Sequence, residues 1–275
     1  SVILLSGEPG IGKSTLTLQI ANAIANQNKK VLYCSGEESV NQIASRAKRL
    51  GSHTKNINLL CENVLELITE NIEQSKPDFI IIDSIQVMRS QEIESLAGSV
   101  SQVRFCAEML TQKAKSLSTP LLLIGHVTKE GTLAGPRVLE HLVDVVLHLE
   151  GERFHQLRLL RSNKNRYGST NEIGVFEMTE KGLEEVKNPS KLFLEGRSSD
   201  TIGSIITCAI EGTRPFLVEV QALTTTTASA LAAIDEHARR FKSPQLEEER
   251  EALRIRALRS LARDPDADVA LGGFR

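Results

Sequence analysis

No two of the four cysteines (Cys34, Cys61, Cys106, Cys208) form a C-x-x-C pair; they are scattered through 275 residues. That spacing argues against a structural zinc site and fits a reduced, cytoplasmic compartment. Cys34, Cys106 and Cys208 stand among apolar neighbours and are expected to be small buried hydrophobes. No apolar run approaches the roughly 20 residues of a membrane span, so no membrane association is expected. No signal peptide is expected either, because the chain opens directly on an apolar strand. A strongly basic footprint is also missing. The formal charge is −2, so any nucleic-acid partner must be met by a local patch. Hydrophobic content of 40% and charged content of 25% are those of a soluble globular protein. The length allows a full α/β core and a second, smaller unit.

What is present begins with Gly7-Glu8-Pro9-Gly10-Ile11-Gly12-Lys13-Ser14, followed by Thr15. It follows the apolar run Val2 to Leu5 and precedes a helical pattern. Strand, glycine-rich loop and helix, in that order, are the setting of the phosphate-binding pattern G-x-x-x-x-G-K-S/T. Glycines let the backbone wrap a polyphosphate, because they tolerate φ > 0 and place no side chain in the way. The loop N–H groups converge at a helix N-terminus, where the dipole favours negative charge. Lys13 is expected to reach the β- and γ-oxygens of ATP, and Ser14 to ligate Mg²⁺.

Further along, apolar strands alternate with helices. Strands are expected at Val31 to Cys34, Ile57 to Leu60, Phe79 to Ile82 and Leu121 to Ile124. Helices are expected between them, over residues 14–26, through Ile43 to Leu50, over 63–75 and over 99–115. Val143 to Leu149 and Gln156 to Leu160 read as a possible hairpin, and Ser162 to Gly168 as the loop after it. Ile173 to Met178 is a further strand. Such a pattern predicts an α/β fold: a mostly parallel sheet covered by helices on both faces, with ligands gathered beyond the C-terminal strand ends. Three stretches follow: residues 1–190 as the nucleotide domain, 191–223 as a β segment, and 224–275 as a helical tail. In the β segment, residues 202–215 read as a strand and turn, and Phe216 to Leu223 alternates with period two as the partner strand. The tail is rich in Ala and Arg, and no Asn occurs beyond Asn188.

Asp83 ends a four-residue apolar run, the setting of a carboxylate that holds the Mg²⁺ shell. Glu37 and Glu38 end the second strand, near the γ-phosphate. ATP hydrolysis needs a carboxylate to orient the attacking water, and Glu37 is favoured with Glu38 as the alternative. The same pair could instead stabilise the next helix through its dipole. His126 follows the strand at Leu121 and is placed to sense the γ-phosphate, or is a hydrogen-bonded loop histidine. Lys129 and Arg137 flank a glycine-rich segment, as DNA-phosphate contacts or as solvated charges. Lys164 and Arg166 stand two apart, so on extended chain they would point the same way. They could grip a γ-phosphate as paired fingers delivered in trans by a ring of subunits, an arrangement that contributes roughly 10³–10⁵ in rate, or they could form a basic turn.

Several of these segments together resemble the RadA (Sms) family of bacterial DNA repair proteins. They are Gly7 to Thr15, Tyr33-Cys34-Ser35-Gly36-Glu37-Glu38-Ser39, Ile82 to Gln86, Gly125-His126-Val127-Thr128-Lys129-Glu130-Gly131, and Gly135 to His141. Lys164-Asn165-Arg166-Tyr167-Gly168 is similar to the family's K-N-R-F-G motif, with Tyr in place of Phe. Glu211 to Pro215 and Val218 to Leu223 resemble the start of its Lon-protease-like domain. The resemblance covers roughly residues 1 to 223. It implies a RecA-like ATPase core, a homohexameric ring, single-stranded DNA in the channel, and ATP hydrolysis with Mg²⁺ that drives branch migration alongside RecA. It also implies that Lys164 and Arg166 act as fingers toward a neighbour's nucleotide or as DNA contacts. The family's N-terminal four-cysteine zinc finger is not matched here, the Lon-like segment stops near Thr224, and the tail matches nothing in the family. Two other readings remain: a RecA-fold ATPase acting on protein partners, and an ATP-binding remnant without motor activity. A protease is rejected, because the segment that would hold a Ser–Lys dyad is missing or replaced.

Overall fold

In a computed structural model of the chain, the residues described are 1–51, 56–126, 139–151, 157–194, 204–221 and 234–235. Six strands run parallel: β1 (Val2–Gly7), β2 (Val31–Ser35), β3 (Ile57–Cys61), β4 (Phe79–Asp83), β5 (Leu121–Ile124) and β6 (Val145–Glu150). Three more continue the sheet antiparallel: β7 (Leu157–Asn165), β8 (Ile173–Thr179) and β9 (Gly182–Glu185). The order across the sheet is β3-β2-β4-β5-β1-β6-β7-β8-β9. This is the mostly parallel α/β sheet that the alternation of strands and helices predicts, and the RecA-like P-loop core that the resemblance implies.

The helices are α1 (Lys13–Ala25), α2 (Val40–Arg49), α3 (Leu65–Ser75), α4 (Val100–Ser116) and the short α5 (Pro189–Leu194). The central strands are buried on both faces because each presents an apolar residue to either side. Leu4, Leu32, Ile80, Ile82, Leu121 and Leu123 face one core, shared with Ile68, Ile72, Cys106 and Leu110 of α3 and α4. Leu5, Val31, Tyr33, Ile81, Leu122 and Ile124 face the other, shared with Leu16, Leu18 and Ala21 of α1 and Ile43 of α2. Each such aliphatic side chain contributes about 1.5–3 kcal/mol on burial. Cys34 and Cys106 are buried as expected, but Cys208 is exposed, because it lies on a two-stranded sheet rather than in a core.

Register decides where functional groups meet. Ser35 pairs with Asp83, Leu5 with Ile124, and Gly7 with Leu149. The loops after β1, β2, β4 and β5 therefore open along one edge of the sheet. The segment Ser162 to Asn165, expected as loop, belongs to β7: Lys164 pairs with Val146 and Asn165 with Val145. Its polar side chains gave no strand signal, and pairing with β6 decides the outcome.

Compact clustering divides the chain into two units. One is Ser1–Phe193 with Cys208–Leu217; the other is Leu194–Thr207 with Val218–Arg275. The strands β10 (Ser204–Glu211) and β11 (Arg214–Gln221) form a two-stranded sheet, where the sequence predicts a hairpin. Except for Asp235, the helical tail expected over 229–263 and the chain beyond it lie outside the described residues, apart from Ile234 beside it.

Candidate functional site

The glycine-rich loop follows β1 directly and ends in Gly12, the N-cap of α1, with φ 116°. That left-handed conformation suits glycine. A Cβ on Gly7 would lie 2.4 Å from the carbonyl oxygen of Leu149, so the first glycine is fixed by the approach of β6. The buried ammonium of Lys13 donates to the carbonyls of Gly7 and Glu8, both at 2.8 Å. Burial pushes its pKa down to about 8, against the pull of the Asp83, Glu37 and Glu8 carboxylates.

Asp83 ends β4 and is buried. Its Oδ2 accepts a hydrogen bond from the Tyr33 hydroxyl at 2.6 Å, and the nearby Ser14 side chain also favours its ionised form. The Tyr33 hydroxyl lies 3.4 Å from Thr17 Oγ1 of α1. Burial raises the Asp83 pKa, opposed by the Tyr33 and Ser14 hydrogen bonds; Glu37 and Glu38 add to the rise. Burial also raises the Tyr33 pKa well above its ordinary value, helped by the Asp83 charge. Ser14 and Asp83 supply oxygen donors only. That set suits Mg²⁺, which keeps several waters and takes phosphate oxygens for the rest of its shell.

The two glutamates after β2 part company. Both oxygens of Glu38 bond the guanidinium of Arg46 on α2, at 2.7 and 2.5 Å. Glu37 turns to the sheet edge, where its Oε1 accepts from the Ser84 hydroxyl at 2.5 Å. The peptide between Asp83 and Ser84 is cis. His126 Nε2 lies 3.6 Å from the same oxygen. His126 most of all holds the Glu37 carboxyl below its usual range; burial works against it, while Ser84 and the Lys13 charge work with it. The carbonyl of His126 accepts from Gln86 Nε2 at 3.3 Å. Lys13, Ser14, Glu37, Asp83 and His126 thus meet at one edge of the sheet.

Lys164 and Arg166 do not join them. β6 runs parallel to β1, from Val145 beside Ile3 to Leu149 beside Gly7. β7 runs back, so Lys164 and Arg166 stand near the start of β1. Five residues at about 3.3 Å each separate Val2 from Gly7, roughly 17 Å. The two cations also go different ways. The Lys164 ammonium donates to the carbonyls of Glu140 and Val143, at 2.6 and 2.8 Å. Arg166 lies past the end of β7, half exposed, with Nη1 3.2 Å from Asp144 Oδ1. Lys129 and Arg137 lie outside the described residues.

Two participants have no motif to announce them. Tyr33 looks like one more residue of a buried strand. The available signal is that a buried phenol needs a partner for its hydroxyl. Arg158 is also buried, and its Nε donates to the Ile11 carbonyl at 3.0 Å, so β7 holds the phosphate loop from behind.

A family model described as "AAA domain" matches residues 1–132. The chain is 53% identical over 228 residues to "DNA repair protein RadA" of Bacillus subtilis (strain 168), covering 83% of this chain and 50% of that protein. It is 54% identical over 227 residues to the protein of the same name from Streptococcus pneumoniae (strain ATCC BAA-255 / R6), covering 82% and 54%. The chain therefore spans about half the length of the curated relatives it matches. Among the described residues no helix is long and apolar enough to cross a membrane.

Proposed function

The chain is a relative of the bacterial DNA repair protein RadA, and from that premise we propose that it is a DNA-dependent ATPase of recombinational repair. The reading takes ATP with Mg²⁺ as its substrate complex, single-stranded DNA as its activator, and branch migration of recombination intermediates as its work. RecA is its expected partner and a homohexamer its expected assembly. One observation carries the chemistry: Glu37 stands at the sheet edge that holds the phosphate loop and the Ser14–Asp83 pair, anchored by Ser84.

In this reading the N–H groups of Gly7 to Thr15 and the Lys13 ammonium hold the β- and γ-phosphates. Ser14 and Asp83 hold the metal, which supplies charge neutralisation on the β- and γ-oxygens. Glu37, kept ionised by His126 and Ser84, orients the attacking water and receives its proton. Glu38 stays with Arg46. His126 joins the γ-phosphate end of the site to the segment that carries Lys129 and Arg137, the proposed DNA contacts. Lys164 holds the turn at 140–143 against β7. Arg166 stands too far from its own loop to serve it, and its proposed target is the γ-phosphate on the neighbouring subunit.

The test is ATP hydrolysis by the purified chain, with and without single-stranded DNA, beside Lys13→Ala, Lys164→Ala and Arg166→Ala. Stimulation by DNA, loss in both Lys13→Ala and Arg166→Ala, and partial recovery on mixing those two variants are expected. Hydrolysis that ignores DNA would sink the DNA-dependent reading. An Arg166→Ala protein that cannot be rescued by mixing would sink delivery in trans.

A further inference from the structure

Asp144 sits in the turn before β6 and is buried. Its backbone is tied to β1: its N–H donates to the Val2 carbonyl at 2.9 Å, and its Oδ2 accepts from the Val2 N–H at 2.9 Å. Its other oxygen faces Arg166 Nη1 at 3.2 Å, and its carbonyl accepts the Arg166 N–H at 3.1 Å. The nearby Tyr167 side chain favours the ionised form of the same carboxylate. Burial works against ionisation of that carboxyl. The Val2 N–H, the Tyr167 hydroxyl and the Lys115 and Arg166 charges outweigh it and hold the pKa below the usual range. One carboxylate therefore accepts from two distant parts of the chain, Val2 at the start of β1 and Arg166 past the end of β7.

The pairing is unequal in burial. The Asp144 side chain is 8% exposed, while that of Arg166 is 53% exposed. The carboxylate is fixed in the fold, and the guanidinium is held at one edge with its remaining N–H donors toward solvent. An Arg so held keeps its planar fork in one orientation, which is what recognition of a phosphate needs. When Arg166 leaves, a buried carboxylate loses a partner, which is costly unless other donors remain. The Val2 N–H is such a donor.

We propose that Asp144 is the positioning residue for Arg166, presenting its guanidinium to the nucleotide phosphate of a second copy of this chain, and that the Val2 N–H keeps the carboxylate partnered when Arg166 moves across. This inference rests on the reading of Arg166 as a group acting on a neighbouring subunit.

A double-mutant cycle on the full chain tests it, with DNA-stimulated ATP hydrolysis and binding of a fluorescent ATP analogue as readouts. Asp144→Asn keeps an acceptor for the Val2 N–H and removes the charge. It is expected to lower kcat about 10-fold, as misplacement of an oriented group does, with unchanged nucleotide affinity. Asp144→Asn combined with Arg166→Ala is expected to be no worse than Arg166→Ala alone. Additive losses would overturn the proposal, since a merely structural Asp144 acts independently of Arg166. Asp144→Glu keeps the charge, displaces it from Arg166 and provides a second cycle if Asp144→Asn does not fold. It is expected to lower kcat about 2- to 3-fold and to have no effect once Arg166 is Ala. If Arg166→Ala itself leaves kcat intact, the underlying reading fails, and that result differs from additivity.

Discussion

The Tyr33 hydroxyl donates to Asp83 Oδ2 at 2.6 Å, joining the middle of β2 to the end of β4. That bond orients one oxygen of the Asp83 carboxylate. Tyr33→Phe removes the donor and no volume from the core. A hydrogen bond to a charged group contributes about 1.5–3 kcal/mol. The variant is therefore expected to unfold at lower urea concentration and to bind Mn²⁺–ATP several-fold more weakly, read by titration of the Mn²⁺ electron paramagnetic resonance signal. Unchanged metal affinity would show that Asp83 is oriented without Tyr33.

Glu37 and Glu38 are neighbours with opposite expected phenotypes. Glu37→Gln keeps the shape and removes the base, and kcat is expected to fall by roughly 10²–10⁴ with nucleotide binding intact. Glu38→Gln weakens the pair with Arg46 and is expected to cost about 1 kcal/mol of stability with kcat nearly unchanged. Reversed phenotypes in ATPase and urea titrations would move the water-orienting role to Glu38.

His126 is expected to set a pH dependence. In the proposed mechanism Glu37 works ionised, and its carboxyl is held below its ordinary value, mainly by His126. Activity is therefore expected above that lowered pKa and expected to be lost as pH falls through it. His126→Ala removes the largest lowering influence, so the acidic limb of kcat is expected to move to higher pH. A limb in the same place in both proteins would mean that another group controls it.

Gly7→Ala tests the loop's geometry. The new Cβ would lie 2.4 Å from a backbone oxygen of β6, and no side-chain rotation relieves that contact. A stability loss of about 2 kcal/mol or more is expected from such overpacking, measurable by urea unfolding. A loss under 0.5 kcal/mol would show that β6 yields at Leu149.

Much of this site is legible in the sequence because its geometry is local. Gly7 to Ser14 form loop and helix start in one piece, and Asp83 is placed by the strand it ends. The division between Glu37 and Glu38 is not legible. It depends on Arg46, nearly two turns into the next helix, and on Ser84, which follows the end of another strand. Lys164 and Arg166 are visible as a motif, but spacing alone predicts that they point together. The end of β7 falls between them, so Lys164 caps backbone carbonyls while Arg166 reaches Asp144. Tyr33 and Arg158 carry polar tips on strands that pattern alone reads as core. The edge strand β9 and helix α5 are too short to leave a periodic signal.

β1 carries the phosphate loop at its last residue and the Asp144 anchor at its first. It is buried between two parallel neighbours, so it cannot lengthen or tilt without breaking both ladders. In the proposed assembly, where Arg166 meets the phosphate of an adjoining copy, that strand would act as a ruler, its six residues setting the distance between a subunit's own phosphate loop and the cation it presents. An insertion within β1 would then change the pitch of the assembly as well as the fold of the subunit.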